Sequence, residues 1–253
     1  NPKKVKYIHK NPILELGSIG SFDDSGIMPS SIINVGKLKY LYYIGWTTRG
    51  SVPFSNSIGL AISKDGGKSF QKRFAGPIIG VGPNEPYFTG TCYVIKYKDK
   101  FLAYYLSCIG WKKINNNKEP FYDIKIASSV DGLKWIPINK TAISLVKDEG
   151  GIASASVLNI NDKFCMWFSV RGGIDYRDNP LSSYKIGYAE SVDGIKWERK
   201  ESNIIPLSKN GWDSKMLAYP NVIKKDDSLK MFYNGNGFGR TGFGYAEMKI
   251  KWN

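Results

Sequence analysis

The chain has 253 residues, 42% of them hydrophobic, 14% aromatic and 23% charged, a composition that suits a folded domain with a sizeable core and no low-complexity block. Its net charge of +14 comes from 36 Lys and Arg against 22 Asp and Glu. The lysines are scattered over strand ends and turns (Lys37, Lys39, Lys96, Lys98, Lys100, Lys224, Lys225), as solvated edges would have them. Without a basic helix, zinc knuckle or RNA-binding motif the charge does not point to nucleic acid, and no apolar run is long enough to cross a bilayer.

In chain order, residues 1–20 read as an orphan strand, apolar over 5–8. Its Pro12, Ile13 and Leu14 then parallel Pro77, Ile78 and Ile79, so the chain opens on the end of a repeat. The first complete repeat, 27–85, carries strands at 31–35, 40–44, 58–62 and 70–74. The second, 86–149, places them at 93–97, 101–106, 123–127 and 135–138, and the third, 150–213, at 156–160, 164–169, 184–189 and 197–200. The last, 214–250, has strands at 222–225, 230–233 and 242–248 and is one short.

The repeats are marked by a turn. SKDGGKSF at 63–70 returns as SVDGLKW at 129–135 and SVDGIKW at 191–197, each time after a strand that ends in alanine. Asp bonds nearby N–H groups, Gly supplies positive φ and the closing aromatic packs between sheets, so the motif is a structural staple. Four antiparallel strands per unit, about 60 residues per unit and no helical period predict an all-β chain, a single β-propeller domain over 1–253. Four blades are countable, and the orphan strand could close the ring.

Strand direction reverses at every turn of a blade. The loop leading into strand one and the loop joining strands two and three therefore open on one face, and the Asp-Gly turns open on the other. Acids recur just before every inner strand: Asp23 and Asp24, Glu85, Asp148 and Glu149, Asp213. Converging at one mouth, they would supply the acid and base of glycosidic cleavage. The same face receives Trp46, Arg49, Trp111, Arg171, Arg177, Trp212 and Arg240, aromatic and cationic groups suited to a sugar's C–H face and hydroxyls. Residues 237–242 fit G-x-G-x-x-G, but strands flank them on both sides. They read as a glycine-rich hairpin that lets a ligand approach the backbone.

The single histidine, His9, rules out Ser-His-Asp triads, Cys-His pairs and multi-histidine zinc sites. Cys92, Cys108 and Cys165 are odd in number and sit in apolar strands without ligand spacing. No metal and no cofactor are expected, and the compartment expected is a reducing, cytoplasmic one. No signal peptide is visible, and a chain opening on Asn1 leaves a removed leader open.

The repeats, together with Phe22 to Ser30 and the Gly211, Trp212, Asp213, Ser214 stretch, resemble the five-bladed β-propeller glycosidases of the family 43, 62 and 32 type and their relatives among polysaccharide-processing proteins. The resemblance spans essentially the whole chain. By position it implies Asp23 or Asp24 as base, Glu85 near the site that tunes the acid, and Glu149 as acid. The activity expected is an inverting glycoside hydrolase acting on a bacterial polysaccharide or oligosaccharide, acidic sugars included. A non-catalytic glycan-binding propeller and a glycoside phosphorylase are the alternatives.

Overall fold

The computed structural model describes residues 4–202 and 204–249. Within these the chain is a β-propeller of four blades laid in sequence order, the second and third joined in one sheet. Blade I is β1 (Gly26–Val35), β2 (Leu38–Thr48), β3 (Phe54–Ser63) and the short β4 (Gln71–Lys72). Blade II is β5 (Thr89–Tyr97), β6 (Lys100–Ile114), β7 (Asn117–Ser129) and β8 (Ile136–Ile143). Blade III is β9 (Glu149–Ile160), β10 (Lys163–Gly172), β11 (Lys185–Ser191) and β12 (Glu198–Ser202), and blade IV is β13 (Ala218–Lys225), β14 (Ser228–Asn234) and β15 (Phe243–Lys249). Every within-blade pair is antiparallel, and a single parallel bridge, Tyr122 to Gly151, ties blade II to blade III.

The second strands β2, β6 and β10 are buried over most of their length, whereas β14 alternates buried and half-buried positions. Along β6, Phe101, Ala103 and Tyr105 pack into the core shared with blade I, whereas Leu102 and Tyr104 pack into the core shared with blade III. The strand alternation of two thus sends successive side chains to successive cores. Trp167, Ile186, Val222 and Met231 fill the next one, between blades III and IV.

Two sets of side-chain bonds recur with the repeat. Hydroxyls of the inner strands hold the next blade's backbone: Ser31 Oγ accepts from Val94 N–H at 3.1 Å, Thr91 Oγ1 from Ser154 at 3.0 Å and Ser156 Oγ from Val222 at 2.9 Å. The Asp-Gly turns reach the blade before them. Gly132 and Gly194, both at φ +72, turn their carbonyls to accept the hydroxyls of Tyr42 and Tyr104, each at 2.9 Å and each 90 residues upstream. Trp135 and Trp197 close edge-on against the same two tyrosines. The staple expected from the motif is therefore a clasp between neighbouring blades. Within it the Asp131 and Asp193 carboxyls are held below the usual range by the N–H groups of Lys134 and Lys196, then of Leu133 and Ile195.

Two expected strands differ. Residues 5–8 form no strand, and Val5, Tyr7 and Ile8 stand exposed; among the described residues no strand pairs with them. Blade IV accordingly has three strands among the described residues, with β15 at its edge. The strand expected at 70–74 shrinks to two residues, since the chain peels away to return Ile79 to the middle of β3, where its carbonyl accepts from Ile58 N–H at 2.8 Å.

Candidate functional site

Two contiguous cavities of about 310 and 220 Å³ occupy the axis and share Met28, Thr91 and Tyr219. The narrower is walled by the four inner strands. The wider opens on the face of the two-three loops and forms a funnel of rings contributed by all four blades: Trp46 and Phe54 from blade I, Phe88 and Tyr122 from blade II, Tyr176 and Tyr184 from blade III, Tyr219 and Phe238 from blade IV. Tyr219 and Phe238 both hold left-handed backbone, φ +59 and +61. That conformation costs a bulky residue about 1–2 kcal/mol and is characteristic of functional sites. Ser169 Oγ secures the first by accepting from Tyr219 N–H at 2.7 Å.

The recurring acids do not gather here. Asp23 is buried, accepts from Tyr43 OH at 3.0 Å and Ser21 Oγ at 2.9 Å, and pairs with Lys72 at 2.6 Å. Glu85 accepts from Tyr105 OH at 2.8 Å and from Ser107 Oγ, and pairs with Lys125 at 3.1 Å. Asp213 accepts from Tyr233 OH at 3.0 Å. In all three the acid and its tyrosine stand 20 residues apart, so the periodicity that nominated these residues is that of a latch between the loop before strand one and strand two of the same blade. In blade III the twentieth residue after Glu149 is Ser169, and Glu149 pairs with Arg199 through both oxygens instead.

No Asp or Glu is among the residues that line either axial cavity. Asp24 is half-buried and accepts from Ser25 Oγ at 2.7 Å and Gly20 N–H at 2.9 Å; these, the hydroxyl first, hold its carboxyl below the usual range. Its neighbour Ser25 donates its N–H to the carbonyl of Trp46, so the backbone at Asp24 runs beside a funnel residue, while Asp24 itself lines neither cavity.

The expected ligand-binding residues divide similarly. Trp46 and Arg177 line the funnel, and Trp111 stands behind its wall against Phe54 and Phe88. Arg177 is bonded to Glu119, which also accepts from Tyr176 OH at 3.1 Å. Arg171 is fully buried beneath the funnel. It donates to Tyr122 OH at 2.8 Å, Pro120 O at 2.6 Å and Gly172 O at 2.9 Å, with Tyr176 stacked 3.9 Å from its guanidinium. Trp212 stacks on Tyr233, as Phe22 does on Tyr43, and both rings brace the acid latch. Arg49 and Arg240 are exposed on loops and line neither cavity.

Periodic reasoning followed the acids and missed Phe54, Phe88, Tyr176 and Tyr219, as well as Asn56, Tyr122 and Tyr184, which share one repeat position five residues before Ala61, Ala127 and Ala189. Phe238 carried a separate signal, a ring between the glycines of the hairpin at 237–242. The thiols take no part: all three cysteines are free and buried, and burial pushes Cys92 and Cys108 up to about 12. Among the described residues no cluster of three or more His, Cys, Asp or Glu is arranged to hold a metal, and no helix is long and apolar enough to cross a membrane.

One buried carboxyl outside the funnel is set apart by an oxygen left without a partner. Asp123 faces Ser107 across the β6–β7 ladder, and its Oδ1 has no partner. Burial foremost, opposed by Lys125 and reinforced by Glu85, raises it from 3.8 to about 6. Because the folded chain holds this proton more tightly than the unfolded one, its contribution is complete below about pH 4 and lost as pH rises through 6. Denaturant titrations should show stability falling by about 2–3 kcal/mol across that window. Asp123→Asn should flatten the slope, and a slope unchanged in the variant would assign it elsewhere.

No family model matches the chain. Over 248 residues it is 32% identical to an uncharacterized protein of Mycobacterium tuberculosis, Rv1502 in strain H37Rv and MT1551 in strain CDC 1551, covering 97% of this chain and 79% of theirs. The chain belongs to the family of these mycobacterial proteins. Among solved structures it is similar to the RGII complex of BT0996 (TM-score 0.70, 19% identity, 92% of this chain and 74% of that one). It is similar too to the β-1,2-mannobiose phosphorylase of Listeria innocua bound to β-1,2-mannobiose (0.68, 18%, 96% and 63%). A variant of the Bombyx mori GH32 β-fructofuranosidase BmSUC1 with sucrose gives 0.61 at 18% identity, over 82% and 42%. At these identities the likeness is one of fold, the propeller of carbohydrate-active enzymes.

Proposed function

We propose that this protein binds a carbohydrate in the aromatic funnel. The observation that carries the reading is that eight rings from four blades converge on one 310 Å³ cavity whose lining contains no carboxylate. Rings stack on the C–H faces of sugars, and a cavity of this size is typical of a small-molecule site. The propeller neighbours in complex with mannobiose and sucrose lend support by analogy of fold. Trp46, at the rim and 4.8 Å from Phe54, is the stacking platform. On an array of bacterial oligosaccharides that includes β-1,2-mannobiose and sucrose, the wild type should retain at least one glycan, and Trp46→Ala should weaken it about tenfold or more. Retention of none, or equal binding by the variant, rejects the assignment.

Hydrolysis is the second reading, favoured by the state of Asp24. Its carboxyl is held below the usual range in the loop that bonds to Trp46, and among the described residues no ion pair neutralises it, as a base for water requires. Incubated with the retained glycan, the wild type would then release product, and Asp24→Asn would stop the release while binding persists. Absence of release over long incubation leaves a glycan-binding propeller.

A further inference from the structure

We propose that Asn56 determines which sugar the funnel accepts, its side-chain oxygen taking a hydrogen bond from one hydroxyl of the ring stacked on Trp46. The inference rests on the funnel being the carbohydrate site. Asn56 lies on β3 directly across the ladder from Trp46 and is 6% exposed. Its Oδ1 is shut off from solvent and has no hydrogen-bond partner. Two other buried side-chain atoms share that condition among the described residues, Asp123 Oδ1 and Trp135 Nε1, and neither residue lines an axial cavity. An acceptor left bare inside a protein is a standing cost that an apolar side chain of the same size would remove. At Asn56 the bare atom belongs to a residue that borders the funnel, so a bound molecule can satisfy it where the protein does not.

Several neighbouring polar groups are already engaged, and Asn56 Oδ1 is the funnel acceptor that is both buried and bare among the described residues. Thr91 Oγ1 accepts from Ser154 N–H, Arg177 is paired with Glu119, and the hydroxyls of Tyr122 and Tyr184 bond each other. A wall of rings holds a sugar face but leaves it free to turn in its plane. One fixed acceptor beside Trp46 removes that freedom and rejects a ring that presents no hydroxyl there. The required partner is an uncharged hydroxyl donor.

The test uses the full chain, the oligosaccharide best retained on the array and its mono-deoxy analogues. Wild type should bind one analogue about tenfold or more weaker than the parent. Asn56→Leu should bind parent and analogue alike, both near the weaker value, and Asn56→Ser, which keeps the fold but draws the acceptor back, should do the same. The side-chain amide resonance of Asn56 should shift in wild type when the parent oligosaccharide is added and stay unmoved with the discriminated analogue. Should Trp46→Ala lose binding while both Asn56 variants keep wild-type affinity and discrimination, the assignment to Asn56 is overturned and the funnel stands. If wild type retains no glycan, the funnel reading itself falls, and this one with it.

Discussion

Replacing Arg171 by methionine is expected to destabilise the protein by about 3–5 kcal/mol, a loss of roughly 10 °C in Tm. The side chain is fully buried, and its three bonds to Tyr122 OH, Pro120 O and Gly172 O hold together a strand, a loop edge and the floor of the funnel. Methionine fills much of the volume but strands the two carbonyls, each at about 1–3 kcal/mol when no water can reach it, and leaves Tyr122 OH with its bond to Tyr184. Arg171→Lys should recover only part, because one ammonium cannot reproduce the planar fork that meets three oxygens at once. Urea unfolding of the three proteins measures this directly. A methionine variant of wild-type stability that has nonetheless lost its glycan would return Arg171 to the ligand-contact role first expected of it.

Glu85→Gln is expected to cost about 3 kcal/mol, again as stability. Lys125 would lose its counter-charge in a site where the carboxylate is almost wholly enclosed, and Tyr105 and Ser107 would compete for one amide oxygen in place of two carboxylate oxygens. Burial foremost, then the charge of Glu85, holds the Tyr105 hydroxyl far above its ordinary pKa, so this tyrosine stays a donor at any working pH. The acid in a latch and the acid in a catalytic pair respond oppositely to amide replacement. A latch loses folding free energy and keeps glycan affinity per folded molecule, whereas a catalytic residue keeps its stability and loses turnover. A Glu85→Gln protein as stable as wild type would dismiss the latch.

These two residues mark where reading by periodicity stops. An acid before every inner strand was visible, and so was a tyrosine in the second strand of most blades, but their 20-residue interval was not connected with a bond. Self-similar positions in a repeat protein carry what every blade needs, which is its own construction. Function in a closed ring depends on what differs between blades, even at one repeat position: five residues before the strand-ending alanine stand Asn56, Tyr122 and Tyr184, while Trp46 lies on a second strand, Phe88 before a first and Phe238 in a hairpin. Glycines followed the same logic. Gly59 and Gly187 are legible as part of the strand motif, but only the packing explains them: a Cβ would come within 2.3 Å of the Tyr43 ring and 2.5 Å of the Phe168 ring laid across them.

The amino-acid sequence alone determined the all-β class, the blade boundaries' period and the Asp-Gly turns, because alternation of side chains along a strand and positive φ at glycine are local properties that a repeat displays several times over. The tertiary structure decided which acids are neutralised, that Arg171 supports the funnel from beneath it and that Asn56 is left without a partner. Those outcomes depend on distances between blades and on exclusion of water, and neither is encoded at any single position of the chain.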